Sequence, residues 1–206
     1  LTAYQDAAYA RRYRTLVETA QSAEAKLGKD STDFAAAVAR NAFKVMAYKD
    51  EYEVARLHRE ASFTDQLKQS FSGDYSIRYH LAPPLFSRRD PHTGLPRKSS
   101  YGPWLGGVMK MLAGMKGLRD GRFDIFGRTA ERRAEKALRD RYVADIEQLA
   151  ATLTQQSLAT AIALAKIPEQ IRGFGHIKEQ AMKAADSERE RLMGTIGTSS
   201  GRARAA

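Results

Sequence analysis

The sequence contains no cysteine. That absence removes disulfides, thiolate nucleophiles, thiolate zinc sites and cysteine-ligated iron–sulfur clusters from the chemistry the chain can supply by itself. It also agrees with a reducing cytoplasm, the expected location. Histidine is scarce: His58, His80, His92 and His176 lie far apart, and none forms an HExxH-type ligand pair. A GxSxG nucleophile elbow and a GxxxxGKS/T phosphate loop are both missing. No run of about 20 uninterrupted apolar residues is present to span a bilayer. The nearest, Pro103–Leu118, is short and carries Lys110 and Lys116. Leu1–Arg14 is polar and broken by Asp6, Arg11 and Arg12, unlike a secretory signal. The expectation is a soluble chain with no membrane partner.

What is present fits one globular domain. The chain has 206 residues, 43% of them hydrophobic and 28% charged, which argues against wholesale disorder. The net charge is +10. Between Phe86 and Arg122 eight cationic residues face only Asp90 and Asp120, so that stretch alone holds +6. Such an excess attracts nucleic acid, acidic proteins or anionic cofactors without choosing among them.

Apolar spacing predicts helices at both ends. Tyr9, Leu16, Val17, Ala20 and Leu27 recur at helical intervals over Ala3–Leu27, and Gly28 stops the run. Ser31, Thr32 or Asp33 is placed to cap a second helix striped by Phe34, Val38, Ala42, Val45 and Met46, continuing long or bent to about Arg59. Phe63, Leu67 and Phe71 suggest a short helix ended by Gly73. The period then changes. Tyr75, Ile77, Tyr79 and Leu81 alternate with polar residues, as in a half-buried strand. Asp90-Pro91-His92-Thr93-Gly94, between Leu85–Arg89 and Arg97–Tyr101, suits a hairpin turn. Pro103 opens another helix, with an apolar arc of Leu105, Val108, Met109, Leu112 and Met115 and small residues Gly106, Ala113 and Gly117 beside it. Thr129 and Thr154 are candidate caps of two further helices, the first buried through Ala134, Leu138, Tyr142, Ile146, Leu149 and Leu153. A polar helix over about His176–Met193 follows Gly173-Phe174-Gly175. The fold class expected is mainly α: a single helical domain over 1–193 with a small inserted antiparallel β-sheet or hairpin near 75–101. Residues 194–206 read as a flexible tail.

Two polar strings stand out. Ile171-Arg172-Gly173-Phe174-Gly175-His176-Ile177-Lys178 places three cationic or proton-carrying groups around one aromatic ring at a helix start, where free N–H groups favour negative charge. Arg172, His176 and Lys178 are therefore candidates for binding an anion or a partner. The alternative is a glycine-rich helix junction with Phe174 seated in the core. In Tyr48-Lys49-Asp50-Glu51-Tyr52-Glu53, Asp50 and Glu53 could be buried partners of arginines. The reading adopted is a solvated or interface face, because no cleft for acid–base work is visible. No catalytic or metal residue is assigned.

Several strings also resemble a known family. Asn41-Ala42-Phe43-Lys44-Val45-Met46-Ala47-Tyr48-Lys49-Asp50-Glu51-Tyr52-Glu53-Val54-Ala55-Arg56-Leu57 resembles part of the C-terminal region of single-chain bacterial indolepyruvate ferredoxin oxidoreductases. So do His80-Leu81-Ala82-Pro83-Pro84, Gly102-Pro103-Trp104, Lys116-Gly117-Leu118-Arg119, Phe123-Asp124-Ile125-Phe126-Gly127, Thr129-Ala130-Glu131-Arg132 and Ile171–Lys178, all in family order. The resemblance implies a parent enzyme that oxidatively decarboxylates aryl 2-oxoacids to acyl-CoA. Its cofactors would be thiamine diphosphate, iron–sulfur clusters and CoA, with ferredoxin as a possible partner. None of those cofactors is assigned to this chain, which has no cluster cysteines and no thiamine diphosphate segment. The implied role is a non-catalytic domain whose partner is the remainder of the oxidoreductase. The competing expectation is an independent basic helical protein that binds nucleic acid. Against it, no recognition-helix module is visible and the basic residues are not confined to one helix face.

Overall fold

The computed structural model describes residues 1–28, 31–60, 65–66, 69–73, 76–81, 97, 99–173 and 175–204, with side chains to residue 196. Its elements in chain order are α1 (Ala7–Ala25), α2 (Asp33–Met46), α3 (Glu51–Leu57), β1 (Tyr79–Leu81), β2 (Ser99–Tyr101), α4 (Leu105–Gly114), α5 (Ala130–Ala151), α6 (Leu158–Lys166) and α7 (Gly175–Arg204). The class is mainly α with one small antiparallel hairpin, as the periodicity predicts. Two compact units result. Leu1–Tyr48 and Thr129–Ala206 form the first, and Lys49–Arg128 forms the second. The stretch set between the two halves of the first unit is thus longer than the expected β insertion.

In the first unit α2 is the central helix, touching α1, α5 and α6. Phe34, Ala37, Val38, Ala42 and Met46 are almost wholly buried there, joined by Leu16, Ala20, Tyr142, Ile146, Leu149, Ala161 and Leu164. Polar groups close the ends of this helix. Neither Ser31, Thr32 nor Asp33 caps it in the expected way, and Thr32 at the cap position makes no side-chain bond. The cap comes instead from Glu24 on α1, whose carboxylate accepts from Phe34 N at 3.0 Å, Ala35 N at 2.9 Å and Ser31 Oγ at 3.1 Å. A carboxylate there meets unpaired N–H groups and the positive end of the helix dipole. At the other end, the Tyr9 hydroxyl donates to Met46 O at 2.9 Å, supplying one of the partners a helix C-terminus lacks.

α5 and α7 are tied by charge. Glu135 pairs with Lys178, Arg141 with Asp186, and Asp145 with Arg189 through both guanidinium nitrogens at 2.5 Å. Thr129 caps α5 as predicted, accepting from Arg132 N at 3.3 Å. Thr154 does not begin α6. Its hydroxyl accepts from Ser157 N at 3.2 Å, and the helix starts after that turn. α7 runs through the segment expected to be a loose tail. Met193 and Ile196 still pack on the core, which explains why a Gly/Ser/Thr-rich stretch stays helical at that point.

In the second unit α3 and α4 pack together, and Ala55, Leu105 and Met109 form a small core flanked by Tyr79, Leu81 and Tyr101. Register pairs Tyr79 with Tyr101 and Leu81 with Ser99. The strand is shorter than the alternation from Tyr75 suggests, since residues 76–78 are not paired. The Leu85–Arg89 arm, the Asp90–Gly94 turn and the core of the Phe63–Phe71 helix lie outside the described residues. α2 and α3 are separate helices, because Asp50 starts α3 as its own cap, accepting from Glu53 N at 2.8 Å. On α4 the Tyr79 side chain packs beside Gly106, where a Cβ would sit 3.5 Å from the Tyr79 hydroxyl.

Candidate functional site

The predicted cationic string lies in the first unit, where the turn Ile167–Gln170 leads into α7. Pro168 and Ile171 are buried and anchor the chain. Gly173 then adopts φ +92, a conformation L side chains avoid, and a Cβ there would fall 2.8 Å from Ile177 Cγ2. Gly175 follows with φ +57. Phe174, whose ring the alternative reading seats in the core, lies outside the described residues.

Arg172 is exposed, and its Nε donates to Glu169 O at 3.2 Å. His176 is exposed on the first turn of α7. Lys178 is half-buried and already paired with Glu135, a carboxylate buried on α5 whose second oxygen has no hydrogen-bond partner. A further cation, missed in the sequence, lies within charge range of Arg172 and Lys178. Lys44 on α2 donates to Pro168 O at 2.6 Å. Its ammonium is held below the usual lysine pKa, first by burial and then by the charge of Arg172, while Glu169 acts in the opposite direction. Asn41, one turn before Lys44, donates to Glu169 Oε1 at 3.2 Å and to Ala37 O at 3.0 Å. Lys44 and Asn41 stand three apart in the first of the family-like strings, and that spacing was the available signal. The result is a cationic junction built from α2, the 167–170 turn and α7, able to hold an acidic group against Lys44 and Arg172.

The second unit holds the other polar constellation, and it corrects the solvated reading of Asp50 and Glu53. Both are buried. Asp50 Oδ2 accepts from Arg119 Nε at 2.6 Å and Oδ1 from Nη2 at 2.7 Å, a two-point carboxylate–guanidinium pair. Glu53 accepts from Arg56 Nη2 at 2.7 Å and Nε at 2.8 Å, a two-point pair along one guanidinium edge. The Arg119 guanidinium also lies 5.4 Å from the centre of the Tyr52 ring. The Tyr52 hydroxyl points to Asp124 Oδ1 at 3.4 Å, and Asp124 accepts from Gly127 N at 2.9 Å and Asp120 N at 3.2 Å. Asp120 has φ +60, so the 119–127 turn carries local backbone strain that these bonds hold in place. Burial, followed by the negative charge of Asp124, pushes the Tyr52 phenol up to about 12. The donors named here are all engaged, and the cluster pins the 119–127 turn onto α3.

Among the described residues, no group of three or more His, Asp or Glu side chains is arranged to hold a metal ion, and no helix is long and apolar enough to cross a membrane. Fold and sites thus define a helical protein with a small hairpin, one cationic junction and one buried ion-pair latch. Residues 1–191 match the model of a family of unknown function, DUF6537, and the chain belongs to that family. Neither the curated proteins nor the solved structures offer a match.

Proposed function

We propose that this chain is the non-catalytic C-terminal domain of an indolepyruvate, or related aryl 2-oxoacid, ferredoxin oxidoreductase, and that its work is structural and interfacial. The observation that supports this reading is the meeting of separately family-like strings in space. Asp50, Arg119 and Asp124 come from three such strings and form one buried latch. Lys44, from the first string, meets the Ile171–Lys178 string at the cationic junction. A likeness confined to solvated surface would not select residues that hold one another. The junction is where a neighbouring domain of the enzyme, or an acidic partner such as ferredoxin, docks against Lys44, Arg172 and His176. The donors present do not fit an iron–sulfur cluster, since the chain has no thiolate. Thiamine diphosphate, the clusters and CoA belong on this reading to the remainder of the polypeptide.

The test uses the complete polypeptide encoded by the reading frame that carries this chain. Purified anaerobically, it should reduce ferredoxin with indolepyruvate in a CoA-dependent reaction. Arg172→Ala should weaken that turnover while shifting stability by no more than about 0.5 kcal/mol, as expected for an exposed side chain with one backbone hydrogen bond. A polypeptide without turnover on any aryl 2-oxoacid would overturn the proposal, and tight retention on DNA would point to the nucleic-acid alternative.

A further inference from the structure

α4 is apolar around its whole circumference, with Lys110 the single charge among its ten residues. A helix of that composition is ordinarily covered on every side. One side is covered, since Leu105 and Met109 are buried in the small core with Ala55 of α3. The opposite side is bare. Trp104, in helical conformation just before α4, is 64% exposed, and Met111 is 59% exposed. Gly107 and Gly114 are exposed on the same stripe, so Trp104, Gly107, Met111 and Gly114 recur at intervals of three and four. Large apolar side chains bared together on one face mark an interaction surface.

Among the described residues nothing calls for glycine at 107 or 114. Neither has a positive φ, and a Cβ on either would meet nothing within 4 Å. Glycine also weakens a helix relative to alanine. What it supplies here is a pair of gaps beside two large side chains. Side chains of a second helix fit such gaps, and its backbone can then come close. The indole is set for that contact, since its ring lies edge-on to Tyr101 at 6.1 Å. Lys110 is exposed next to the stripe, and residues 97–128 carry seven cationic side chains against Asp120 and the buried Asp124. The complement of this face is therefore apolar with carboxylates at its edge. A lipid surface or a single-stranded nucleic acid would use the indole and the cations but not the spaced gaps.

We propose that this stripe of α4 docks an amphipathic helix from the remainder of the parent polypeptide, with apolar residues in the gaps at Gly107 and Gly114 and carboxylates beside Lys110. The source of that helix rests on the function proposed above; the face itself does not. Hydroxyl-radical labelling read by mass spectrometry tests it, applied to the 206-residue chain and to the complete polypeptide of the same reading frame. Trp104 and Met111 should label about fivefold less in the complete polypeptide, as residues at the centre of an interface do. Gly107→Leu has open space in this chain and should leave its melting temperature undiminished. In the complete polypeptide the same change should restore Trp104 labelling to the level of the chain alone. Lys110→Glu should raise that labelling by about twofold or more through like-charge repulsion. Equal labelling of Trp104 in both proteins, or protection unaltered by Gly107→Leu, would overturn the assignment. So would protection of the chain alone by phosphatidylglycerol vesicles or by a thymidine oligonucleotide, either of which would give the face a different partner. Turnover and labelling are independent readouts: a complete polypeptide inactive on every aryl 2-oxoacid but with Trp104 protected loses the enzyme reading and keeps the docked helix.

Discussion

Glu24 reaches from the last turn of α1 to the backbone of Phe34 at 3.0 Å, so the start of one helix is capped by the end of another. Both residues are buried. Glu24→Ala should cost about 2–3 kcal/mol, the loss of a cap together with two unsatisfied buried donors. Glu24→Gln should cost less, because its amide oxygen still accepts one of the two bonds. Urea denaturation followed by circular dichroism measures both, and an alanine variant within about 0.5 kcal/mol of the parent would show that α2 starts without this cap.

The Asp50–Arg119 pair invites a double-mutant cycle. Asp50→Asn keeps an oxygen for the α3 cap but removes the charge, and Arg119→Met removes the guanidinium but keeps much of its bulk. Each alone strands a buried partner and should cost about 3–5 kcal/mol, while the double variant should lose less than the sum. The single tryptophan, Trp104, lies in the same unit and reports its unfolding by fluorescence. Additive losses would mean the two side chains act independently.

Alkaline titration checks the environment of Tyr52. Burial, followed by the negative charge of Asp124, pushes its phenol up from the ordinary tyrosine range to about 12, and burial raises Tyr142 as well. Because the folded pKa lies above the unfolded one, the contribution of Tyr52 to stability is fully present below about pH 10 and is lost as pH rises from there toward 12. Phenolate absorbance in the native protein should show Tyr52 ionising late. Tyr52→Phe should remove that component and flatten the stability loss between pH 10 and 12. A native titration in which every tyrosine ionises near 10 would contradict the described packing.

Gly173 and Gly175 separate two reasons for glycine. Gly173→Ala meets both a left-handed backbone and the Ile177 side chain, whereas Gly175→Ala meets only the backbone preference, with nothing within 4 Å. The first should lose about 1–3 kcal/mol, and the second about 1 kcal/mol. Thermal melts of the two variants give the order. If Gly175→Ala is the more damaging, the contact with Ile177 is not what the turn protects.

Much of the fold was legible locally. The Phe34–Met46 stripe marked the central helix, Thr129 marked the start of α5, and the change of period at Tyr75 marked the hairpin, though its first strand begins only at Tyr79. What escaped were contacts that depend on distant residues. Glu24 looks like any surface glutamate on α1, and only its arrival at residues 34 and 35 makes it a cap. Asp50 and Glu53 sit in a string dense with charge, which in isolation favours solvent. Arg119, 69 positions away in sequence from Asp50, brings the compensating charge that permits burial. Arg172, His176 and Lys178 are singled out in the sequence because they flank glycines at a helix start. Lys44 was hidden on a helix whose other face dominated the pattern, and Lys178 proved to be engaged by Glu135.

The division of the first unit around Lys49–Arg128 has a consequence for biosynthesis. α1 and α2 leave the ribosome before the rest of their unit, since Tyr142, Ile146, Leu149, Ala161 and Leu164, which cover α2, are translated only after the whole intervening stretch. At roughly 5–20 residues per second that is a wait of several seconds. During it the nascent helical pair exposes Phe34, Val38 and Met46, a sticky surface that invites chaperones or premature association. The early section of this chain is therefore where a folding defect would first be seen in the cell, even for substitutions that leave the finished molecule intact.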